Sequence, residues 1–487
     1  MKACSRYTFG TYSDDELALM ASPLPKHPQL RGNYAPSNFA AVCQDLVIEG
    51  KVPEGLSGSL YRIGPNPKFV PDQGYHWFFG TGMVHAFHLH EGKIDYVNRW
   101  VRTPKFEAEL AVGTSLPMSI EIDPETGQLQ SDRRNGLANT HIIWHADQLL
   151  ALEEGSHPFT LSPKNLDSEG YGHYANGLSG PMTAHPKIDP ITGELHGFGY
   201  MSDALGSANM SYHVVDQQGV VTRSDIFTAP FAAMVHDFAV TRDYVLFPLF
   251  PLTFDFKRME KLGSPFAFEP QAGAVIGVLK RGAPTSEIRW IEAPVCFVFH
   301  YLNAWNEGEQ ITFDAIDFSV APNFPDTDGN LPGFTEAQGT LTRWQLDLAT
   351  GAVERTPLLD LACEFPRIDD RYAMKQHTQA FLATASQRQR GDGGLFHEVT
   401  HLNLESGATQ VWDAGLGNGV SEPVFVPRHA IADEGDGWLL ATVYEATSQA
   451  SSLVILDATA VSQGPIATAR LDHRIPFGFH GSWRANE

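Results

Sequence analysis

Four histidines stand directly after apolar runs, where a β-strand would point a side chain inward. They are His185 in "GPMTAHPKID", His236 in "FAAMVHDF", His300 in "CFVFHYLN" and His480 in "PFGFHGSW". Imidazole is the commonest metal ligand in proteins. The separations match no local metal motif, so a shared centre needs a fold that brings distant strands together. For any one of them alone, a buried histidine bonded to the backbone is the commoner interpretation.

Three glutamates occupy unexpectedly apolar settings and form a second group. They are Glu154 in "LLALEEGSHP", Glu364 in "LLDLACEFPRID" and Glu422 in "GVSEPVFVP". A metal-bound imidazole needs an acceptor for its other ring N–H, and a carboxylate commonly supplies it. For each glutamate alone, a surface carboxylate on an edge strand is the alternative.

The elements that would position these residues are short strands. Helical periodicity is scarce, and the best helix candidate is "SDDELALM" near the start of the chain, within an N-terminal extension over residues 1–40. Elsewhere β-branched and aromatic runs alternate with Gly, Pro, Asn and Asp, which is typical of β-structure.

One turn returns along the chain, in "IDPETGQL" (122–129), "IDPITGEL" (188–195), "LDLATGAV" (346–353) and "LNLESGAT" (402–409). Each copy has an apolar strand end, an Asp-type residue, a glycine and a further strand, as in a β-hairpin. Irregular spacing excludes a strict solenoid and favours a β-propeller with insertions of different length. The last strand of a propeller can complete a blade near the axis, which would make His480 central.

Composition narrows the class of protein. The 487 residues carry a formal net charge of −23, which opposes binding to nucleic acid. Cys4, Cys43, Cys296 and Cys363 form no CxxC pair, so we expect no disulfide framework and a cytoplasmic location. The N-terminus lacks the pattern of a signal peptide.

The longest apolar stretch, "YVLFPLFPLTF" (244–254), is too short and too rich in proline to span a bilayer. We expect it to flank the mouth of a substrate tunnel and to allow at most peripheral membrane contact. A buried core strand is the alternative.

The chain resembles the carotenoid cleavage oxygenases, including their stilbene- and phenylpropene-cleaving branch. The resemblance extends from "VPEGLSGSLYRIGPNP" (52–67) through "ANTHIIWHADQLLALEEG", "MVHDFAVT" and "FHYLNAWNEG" to the terminal "FHGSW". It implies an all-β fold over residues 1–487, a single seven-bladed β-propeller with a helical and loop cap over the metal-bearing axial face.

The resemblance also implies the chemistry. His185, His236, His300 and His480 would hold Fe(II), and Glu154, Glu364 and Glu422 would orient them. Thr140 in "LANTH" would lie beside two open positions on the iron, where the family binds O2 next to a conjugated double bond and cleaves it to two carbonyl products. No organic cofactor is expected, and no phosphate-binding glycine fingerprint is found.

The resemblance predicts a substrate pocket around Phe78, Trp100, Ile120 and Glu153. Ile120 and Glu153 fall where stilbene- and isoeugenol-cleaving relatives carry a tyrosine and a lysine for the substrate's 4-hydroxyl. A carboxylate disfavours a phenolate and accepts a proton only from a neutral phenol. We therefore expect an apolar polyene such as an apocarotenoid, or a methyl-capped phenol, to fit better than a 4-hydroxystilbene. A phenolic stilbene or phenylpropene is the alternative substrate.

Two alternatives from other classes stay open. One is retinoid-isomerase-like chemistry on the same scaffold, which the acidic surface disfavours. The other is a propeller that binds a ligand without catalysis. Iron content and O2 uptake distinguish this second alternative from an oxygenase.

Overall fold

The computed structural model describes residues 5–7, 24, 27–71, 75–118, 120–122, 128–333, 336–386 and 396–486. Its seven principal antiparallel sheets are arranged around one axis as a seven-bladed β-propeller, which confirms the predicted all-β class. The helix predicted at "SDDELALM" lies outside the described residues.

The first half of the described chain contributes twenty-two strands. In chain order they are β1 (Ser5–Tyr7), β2 (Ala40–Cys43), β3 (Val47–Gly50), β4 (Gly58–Pro65), β5 (Gly82–His90), β6 (Lys93–Trp100), β7 (Ile120–Ile122), β8 (Leu129–Ser131), β9 (His141–His145), β10 (Gln148–Leu152), β11 (Phe159–Leu161), β12 (Ser168–Tyr171), β13 (Lys187–Ile188), β14 (Leu195–Gly199), β15 (Asn209–Val215), β16 (Val221–Thr228), β17 (Ala239–Val240), β18 (Tyr244–Leu249), β19 (Leu252–Phe254), β20 (Phe266–Phe268), β21 (Ala274–Lys280) and β22 (Arg289–Ala293).

The second half contributes fourteen more strands, among them the strand that ends the described chain. They are β23 (Phe297–Glu307), β24 (Gln310–Phe318), β25 (Thr340–Asp347), β26 (Val353–Pro357), β27 (Ala362–Arg367), β28 (Gln379–Ala385), β29 (Glu398–Asn403), β30 (Thr409–Asp413), β31 (Gly419–Val420), β32 (Val424–Pro427), β33 (Gly437–Glu445), β34 (Ala450–Asp457), β35 (Pro465–Arg470) and β36 (Gly481–Ala485).

Helices are few and short in the described residues. The α-helices are α1 (Pro104–Val112) and α2 (Arg258–Leu262), and single 3-10 turns cover Pro28–Leu30, Gly32–Tyr34, Trp77–Phe79, His173–Asn176, Pro270–Ala272, Thr285–Glu287, Asp370–Tyr372 and Val461–Gln463. No described helix has the length and apolar character needed to cross a bilayer.

The blades follow the chain, apart from the first and the last. Their strands, in spatial order, are β1-β2-β6-β5-β4-β36 in blade 1, β12-β11-β10-β9 in blade 2, β13-β14-β15-β16 in blade 3, β17-β18-β21-β22 in blade 4, β23-β24-β25-β26 in blade 5, β27-β28-β29-β30 in blade 6 and β3-β35-β34-β33-β31, with β32 on β33, in blade 7.

The C-terminal strand closes the ring. β36 pairs antiparallel with β4, with Gly481 opposite Arg62 and Ala485 opposite Gly58. β36 also contacts β9 of blade 2 and β32 of blade 7, while β23 contacts β17 and β27. The first or last strand of each of these blades therefore lines the axis, and the end of the chain is central, as predicted.

The repeated turn has the same construction in three copies, which begin at Asp189, Asp347 and Asn403. The Asp189 carboxylate accepts the backbone N–H of Ile191, and the Gly193 N–H donates to the Asp189 carbonyl at 2.8 Å. Gly193 has φ of 73°, a left-handed conformation in which a side chain would be strained. This geometry explains the Asp-x-x-x-Gly spacing in the sequence. The copy at 122–129 lies mostly outside the described residues.

Apolar side chains between neighbouring blades form the core. The largest buried cluster joins blades 4, 5 and 6 and includes Leu246, Phe313, Trp344 and Leu382. Phe313 and Trp344 stack with their ring centroids 5.4 Å apart, and Trp344 is fully buried. This blade-to-blade packing fixes the inner strands and the side chains on them.

The cysteines differ from expectation at one position. Cys43, at the end of β2, is disulfide-bonded, so the prediction that the cysteines form no disulfide is wrong for this residue. Cys296 and Cys363 are free and buried in the core.

Candidate metal centre and active site

The four predicted histidines come from four different blades and meet at the axis. His185, His236 and His480 lie just before β13, β17 and β36, and His300 lies within β23. All four are buried, with exposed fractions of 4–9%. They form a group whose possible ligand nitrogens all lie within 4.8 Å of one another.

The spacing of these nitrogens fits one metal ion. His185 Nε2 and His236 Nε2 are 3.0 Å apart. Two nitrogens at a right angle on a metal with bonds of about 2.1 Å would lie about 3.0 Å apart. His300 Nε2 is buried and has no hydrogen-bond partner, as expected for an atom that serves as a metal ligand.

Each of three histidines has a predicted glutamate on its other ring nitrogen. Because an ionised carboxylate only accepts, the imidazole donates. His300 Nδ1 donates to Glu364 Oε2 at 2.5 Å, and His480 Nδ1 donates to Glu422 Oε1 at 2.9 Å. His236 Nδ1 donates to Glu154 Oε1. These bonds fix the tautomer and leave each Nε2 with a lone pair directed at the centre.

His185 is held by other contacts. Its backbone N–H donates to Thr183 Oγ1 at 3.0 Å, and its ring packs edge-on against the rings of His300 and His480, with centroids 5.0 and 4.6 Å apart. Burial and the neighbouring imidazoles hold the pKa of His185 well below its ordinary value. His185 is therefore neutral, which is the form that binds a metal.

The pKa values of two other histidines of the cluster shift in opposite directions. Burial lowers the pKa of His480 well below its ordinary value, although Glu422 acts against it. Burial also acts to lower the pKa of His300, but the charge and hydrogen bond of Glu364 outweigh it, and the pKa rises. Glu364 and Glu422 thus act on the pKa values of these two rings in the same direction, against burial.

Glu422 is the most heavily bonded of the three carboxylates. Besides His480, it accepts the Gly481 N–H at 2.9 Å and lies 3.4 Å from the Arg367 guanidinium. Burial acts to raise the pKa of Glu422, but Arg367 and His480 outweigh it and hold that pKa far below its usual range. The Glu422 carboxylate is therefore ionised, and Arg62 donates to the backbone carbonyl of the same residue at 3.3 Å.

Sequence reasoning missed three residues of this frame. Arg367 supports Glu422, and the Tyr200 hydroxyl donates to Glu154 Oε2 at 2.7 Å. His141 lies beside the cluster, with its ring centroid 5.2 Å from that of His480, and burial lowers its pKa to about 4. Arg367 lies in the quoted stretch "LLDLACEFPRID", but its pairing with Glu422 on another blade cannot be inferred from the sequence.

A cavity of about 690 Å³ opens onto this cluster. His236, His300 and His480 line it together with many aromatic side chains, among them Phe78, Phe254, Phe266, Phe299, Phe324 and Phe479. The Phe299 ring stands edge-on to that of His236, with centroids 5.1 Å apart. An apolar ligand in the cavity would therefore lie against the histidine cluster and away from water.

Thr140 and Phe78 lie in the cavity wall, and one hydrogen-bond chain links them. The Thr140 hydroxyl donates to Asn139 Oδ1 at 2.8 Å, and the Asn139 amide donates to the carbonyls of Phe78 and Gly80. The Thr140 carbonyl also accepts the His480 N–H at 3.2 Å. Thr140 is thus fixed both to the C-terminal histidine and to the aromatic wall.

The remaining predicted pocket residues are placed differently. Trp100 does not line the cavity: it is buried beside Phe106, and its indole N–H donates to the Asn66 carbonyl at 2.9 Å. Ile120 begins β7, and its side chain lies outside the described part of the structure. Glu153 lines the cavity and is 9% exposed, so it does not face solvent.

The mouth of the cavity does not lie at residues 244–254, where the sequence predicts it. Most of 244–254 is buried core: Phe250 is 3% exposed and Leu252 is fully buried, so the expectation of a mouth there is wrong and the core alternative holds. Phe254, the last residue, does line the cavity. The exposed large apolar residues of the cavity lining are Phe79, Phe256 and Met259, so the opening lies around α2 and the Trp77–Phe79 turn.

The comparisons with known proteins agree with this geometry. A family described as "Retinal pigment epithelial membrane protein" matches residues 34–485. The chain is 37% identical over 475 residues to an isoeugenol monooxygenase of Pseudomonas putida, covering 94% of this chain and 98% of that protein. It is 32% identical over 495 residues to carotenoid 9,10(9',10')-cleavage dioxygenase 1 of Arabidopsis thaliana, covering 95% and 91%.

Solved structures give the same result. The lignostilbene dioxygenase of Pseudomonas brassicacearum superposes with a TM-score of 0.89 at 34% identity, covering 96% of this chain and all of that one. A cobalt-substituted apocarotenoid oxygenase of Synechocystis superposes with a TM-score of 0.80 at 30% identity, covering 93% and 97%.

Proposed function

Because this chain belongs to the carotenoid cleavage oxygenase family, we propose that it uses Fe(II) and O2 to cleave a conjugated carbon–carbon double bond. In the balanced reaction, one alkene and one O2 give two carbonyl products. The C=C bond breaks, each of its carbons is oxidised, and each receives one oxygen atom. The substrate supplies all the electrons, so the reaction needs no reductant or organic cofactor.

The observation that carries the proposal is the buried cluster of four histidines from four blades. Three of them are oriented by carboxylates, and the possible ligand nitrogens lie within 4.8 Å of one another. Four neutral nitrogen donors suit a divalent first-row metal. When bound, Fe(II) would supply the activation of O2.

The protein's own residues have separate tasks. His185, His236, His300 and His480 would hold the metal, and Glu154, Glu364 and Glu422 keep three of their rings in the binding tautomer. Thr140 stands at the cavity wall beside His480. The aromatic wall, with Phe78 and Phe299, would bind the planar alkene and exclude water.

Two substrate classes have support among the relatives. Isoeugenol monooxygenase and lignostilbene dioxygenase act on aryl alkenes by their names, and the higher TM-score, 0.89 against 0.80, favours this class. An apocarotenoid, the substrate expected first from the sequence, is the other candidate, since a cavity of about 690 Å³ lined by aromatic residues also suits a polyene.

The first test is metal content. We expect one iron per chain after anaerobic loading, and loss of that iron in His480→Ala, because removal of one ligand opens the site and leaves Glu422 without its imidazole. His429→Ala, on the exposed surface, is the matched control. Unchanged iron in His480→Ala would refute the assignment of the axial site.

The second test is turnover. The iron-loaded protein is incubated in air with carotenoids, apocarotenals, stilbenes and vinylphenols, and aldehydes are identified by mass spectrometry together with O2 uptake. We expect paired carbonyl products from at least one class. Iron binding without O2 uptake on any of them would instead favour a binding propeller.

A further inference from the structure

One short stretch of β27 serves two of the four histidines. Glu364 accepts from His300. Arg367, three residues later, pairs with Glu422, and Glu422 accepts from His480. In a regular strand, residues three apart point to opposite faces of the sheet. The backbone between Glu364 and Arg367 must therefore depart from a regular strand.

A β-bulge provides this departure. Glu364 lies opposite Ala383 of β28, and Arg367 lies opposite Phe381, so β27 has one residue more than its partner strand over this stretch. A bulge bends the strand and changes the direction of the side chains that follow it. The bulge therefore explains how Glu364 and Arg367 both reach the axial centre from one strand.

Phe365 takes the unusual backbone conformation within the bulge. Its φ is 53°, in the left-handed region that phenylalanine rarely occupies. The next residue is Pro366, and a residue before proline favours an extended backbone instead. Such strain persists only where the surroundings hold it in place, and it is common at functional sites. The contacts of the Phe365 ring show what these surroundings are.

The Phe365 ring contacts both histidines that this stretch serves. It stacks on the His300 ring, with centroids 5.8 Å apart and planes at 28°, and its centroid lies 5.5 Å from that of His480. Its backbone N–H donates to Glu364 Oε2, the same oxygen that accepts from His300 Nδ1. The two carboxylates hold the histidine rings at Nδ1, and Phe365 adds an aromatic contact to both rings.

We propose that Phe365 is a positioning residue that limits the tilt of His300 and His480 and so couples these two rings in metal binding. This role rests on the proposed function, because it presumes a metal on the four histidines. One hydrogen bond at Nδ1 leaves a ring free to tilt, and a tilt displaces Nε2 at the opposite edge. An outer contact that opposes this movement orients the ligand and raises metal affinity.

The test measures metal binding, so it does not depend on turnover. Co(II) is titrated into the metal-free protein, and its affinity is recorded together with its visible absorption, which responds to ligand number and geometry. Phe365→Leu removes the ring but keeps an apolar side chain. We expect it to weaken Co(II) binding by about 10- to 100-fold, as for the loss of other groups that orient a ligand, and to change the absorption spectrum. Phe365→Tyr, which keeps the ring, should retain the affinity and the spectrum of the wild type.

A second variant separates the ring from the backbone. Phe365→Gly takes a positive φ without strain, so it preserves the bulge and carries the test even if Phe365→Leu does not fold. It should bind Co(II) as weakly as Phe365→Leu, because it also lacks the ring. Phe227→Leu, at a buried phenylalanine in the core of blades 3 and 4, is the matched control. It should lower the melting temperature without a change in Co(II) affinity.

Double variants show which rings Phe365 acts on. Phe365→Leu is combined in turn with Glu364→Gln, Glu422→Gln and Glu154→Gln, which alter the partners of His300, His480 and His236. The losses of affinity should multiply with Glu154→Gln, because the described ring contacts of Phe365 do not include His236. With the other two changes, the combined loss should be smaller than the product, because the ring has already been released.

The outcomes separate this role from the proposed function. Wild-type Co(II) affinity and spectrum in Phe365→Leu or Phe365→Gly, or losses that multiply in all three double variants, would overturn the role of Phe365 and leave the metal centre in place. Absence of Co(II) binding by the wild type would overturn the metal centre itself. Affinity that depends on the Phe365 ring, without alkene cleavage by the iron-loaded protein, would support the positioning role and overturn the proposed function.

Discussion

Each of three histidines in the axial cluster has its ring orientation determined by one carboxylate. Glu364 and Glu422 differ in what else they hold. Glu364 accepts from His300 and from the Phe365 N–H, whereas Glu422 is also tied to Arg367 and Gly481. Changing each glutamate to glutamine therefore tests the same loss of charge at two places. Glu364 has no arginine partner among the contacts described, whereas Glu422 has Arg367.

We expect Glu364→Gln and Glu422→Gln to weaken iron affinity or activity by roughly 10- to 100-fold. The amide oxygen still accepts the imidazole N–H but polarises it less. Glu422→Gln should also lower the melting temperature, because it removes one of the two carboxylates that pair with Arg367 and leaves only Asp370.

The measurements are iron content, turnover and thermal unfolding of both variants. Glu405→Gln, on an exposed turn, is the matched control. Wild-type iron content and turnover in both variants would mean that these carboxylates do not act through the histidines.

At the scale of single residues, the sequence revealed those with an unusual local setting. A histidine after an apolar run and a glutamate within one are visible without a structure, and His300 and Glu364 were predicted on that basis. Tyr200 and Arg367 were not, since an aromatic residue and an arginine are ordinary in any strand. Their importance comes only from neighbours on other blades.

Among the elements, the segment from β18 to α2 changes character within a few residues. Phe250 and Leu252 pack in the core between blades, whereas Phe256 is 47% exposed at the cavity opening. The apolar composition of 244–254 does not distinguish a strand covered on both faces from a surface segment. That is why the sequence placed the mouth a few residues too early.

We expect Phe250→Ser to lower the free energy of unfolding by at least about 3 kcal/mol, as for other deletions of large core side chains. Phe256→Ser should leave stability within about 0.5 kcal/mol of the wild type, as for most exposed positions, and should raise the KM for a substrate delivered in micelles. Urea unfolding and steady-state kinetics measure the two effects. Equal losses of stability in both variants would place Phe256 in the core.

The repeated turns, unlike the buried segment 244–254, could be predicted because they depend only on residues within the turn. An Asp-type residue four positions before a glycine is a local requirement, because the side chain caps its own turn and the glycine takes a positive φ. The number of blades is not local. It depends on how many sheets close a ring, and the sequence indicated seven only through resemblance.

The described part of the molecule contains several histidines outside the axial cluster that are buried as neutral groups. Burial lowers the pKa of His85, His196 and His377 to about 3. In the unfolded chain, histidine takes up its proton near pH 6.5. Between these values the unfolded state binds more protons, so the free energy of unfolding falls as the pH falls below 6.5. Asp317, whose pKa burial raises to about 6, acts in the opposite direction, as does Asp314, whose pKa burial also raises. His76, His157 and His213, whose pKa values burial lowers to about 4, add to the effect of the first three histidines.

We expect the melting temperature of the metal-free protein to fall steeply between pH 6.5 and pH 4.5. Metal-free protein is used so that loss of metal does not contribute. His196→Gln removes one of these groups. The free energy of unfolding should then fall less steeply with falling pH, by about 1.4 kcal/mol less per pH unit. His429→Gln, at an exposed histidine, should leave the profile unchanged. A melting temperature independent of pH over this range would contradict the prediction.

The pairing of β36 with β4 has a consequence for the order of events in the cell. His480 and the closing strand leave the ribosome long after the partner strand Gly58–Pro65, because more than 400 residues separate them along the chain. At about 5–20 residues per second, the growing chain waits roughly 20–80 seconds between the two. Until β36 has been synthesised, the axial cluster lacks His480 and therefore one of its four imidazoles. A metal ion held by all four histidines can be bound only after that point, and a chain that ends before His480 carries an incomplete cluster.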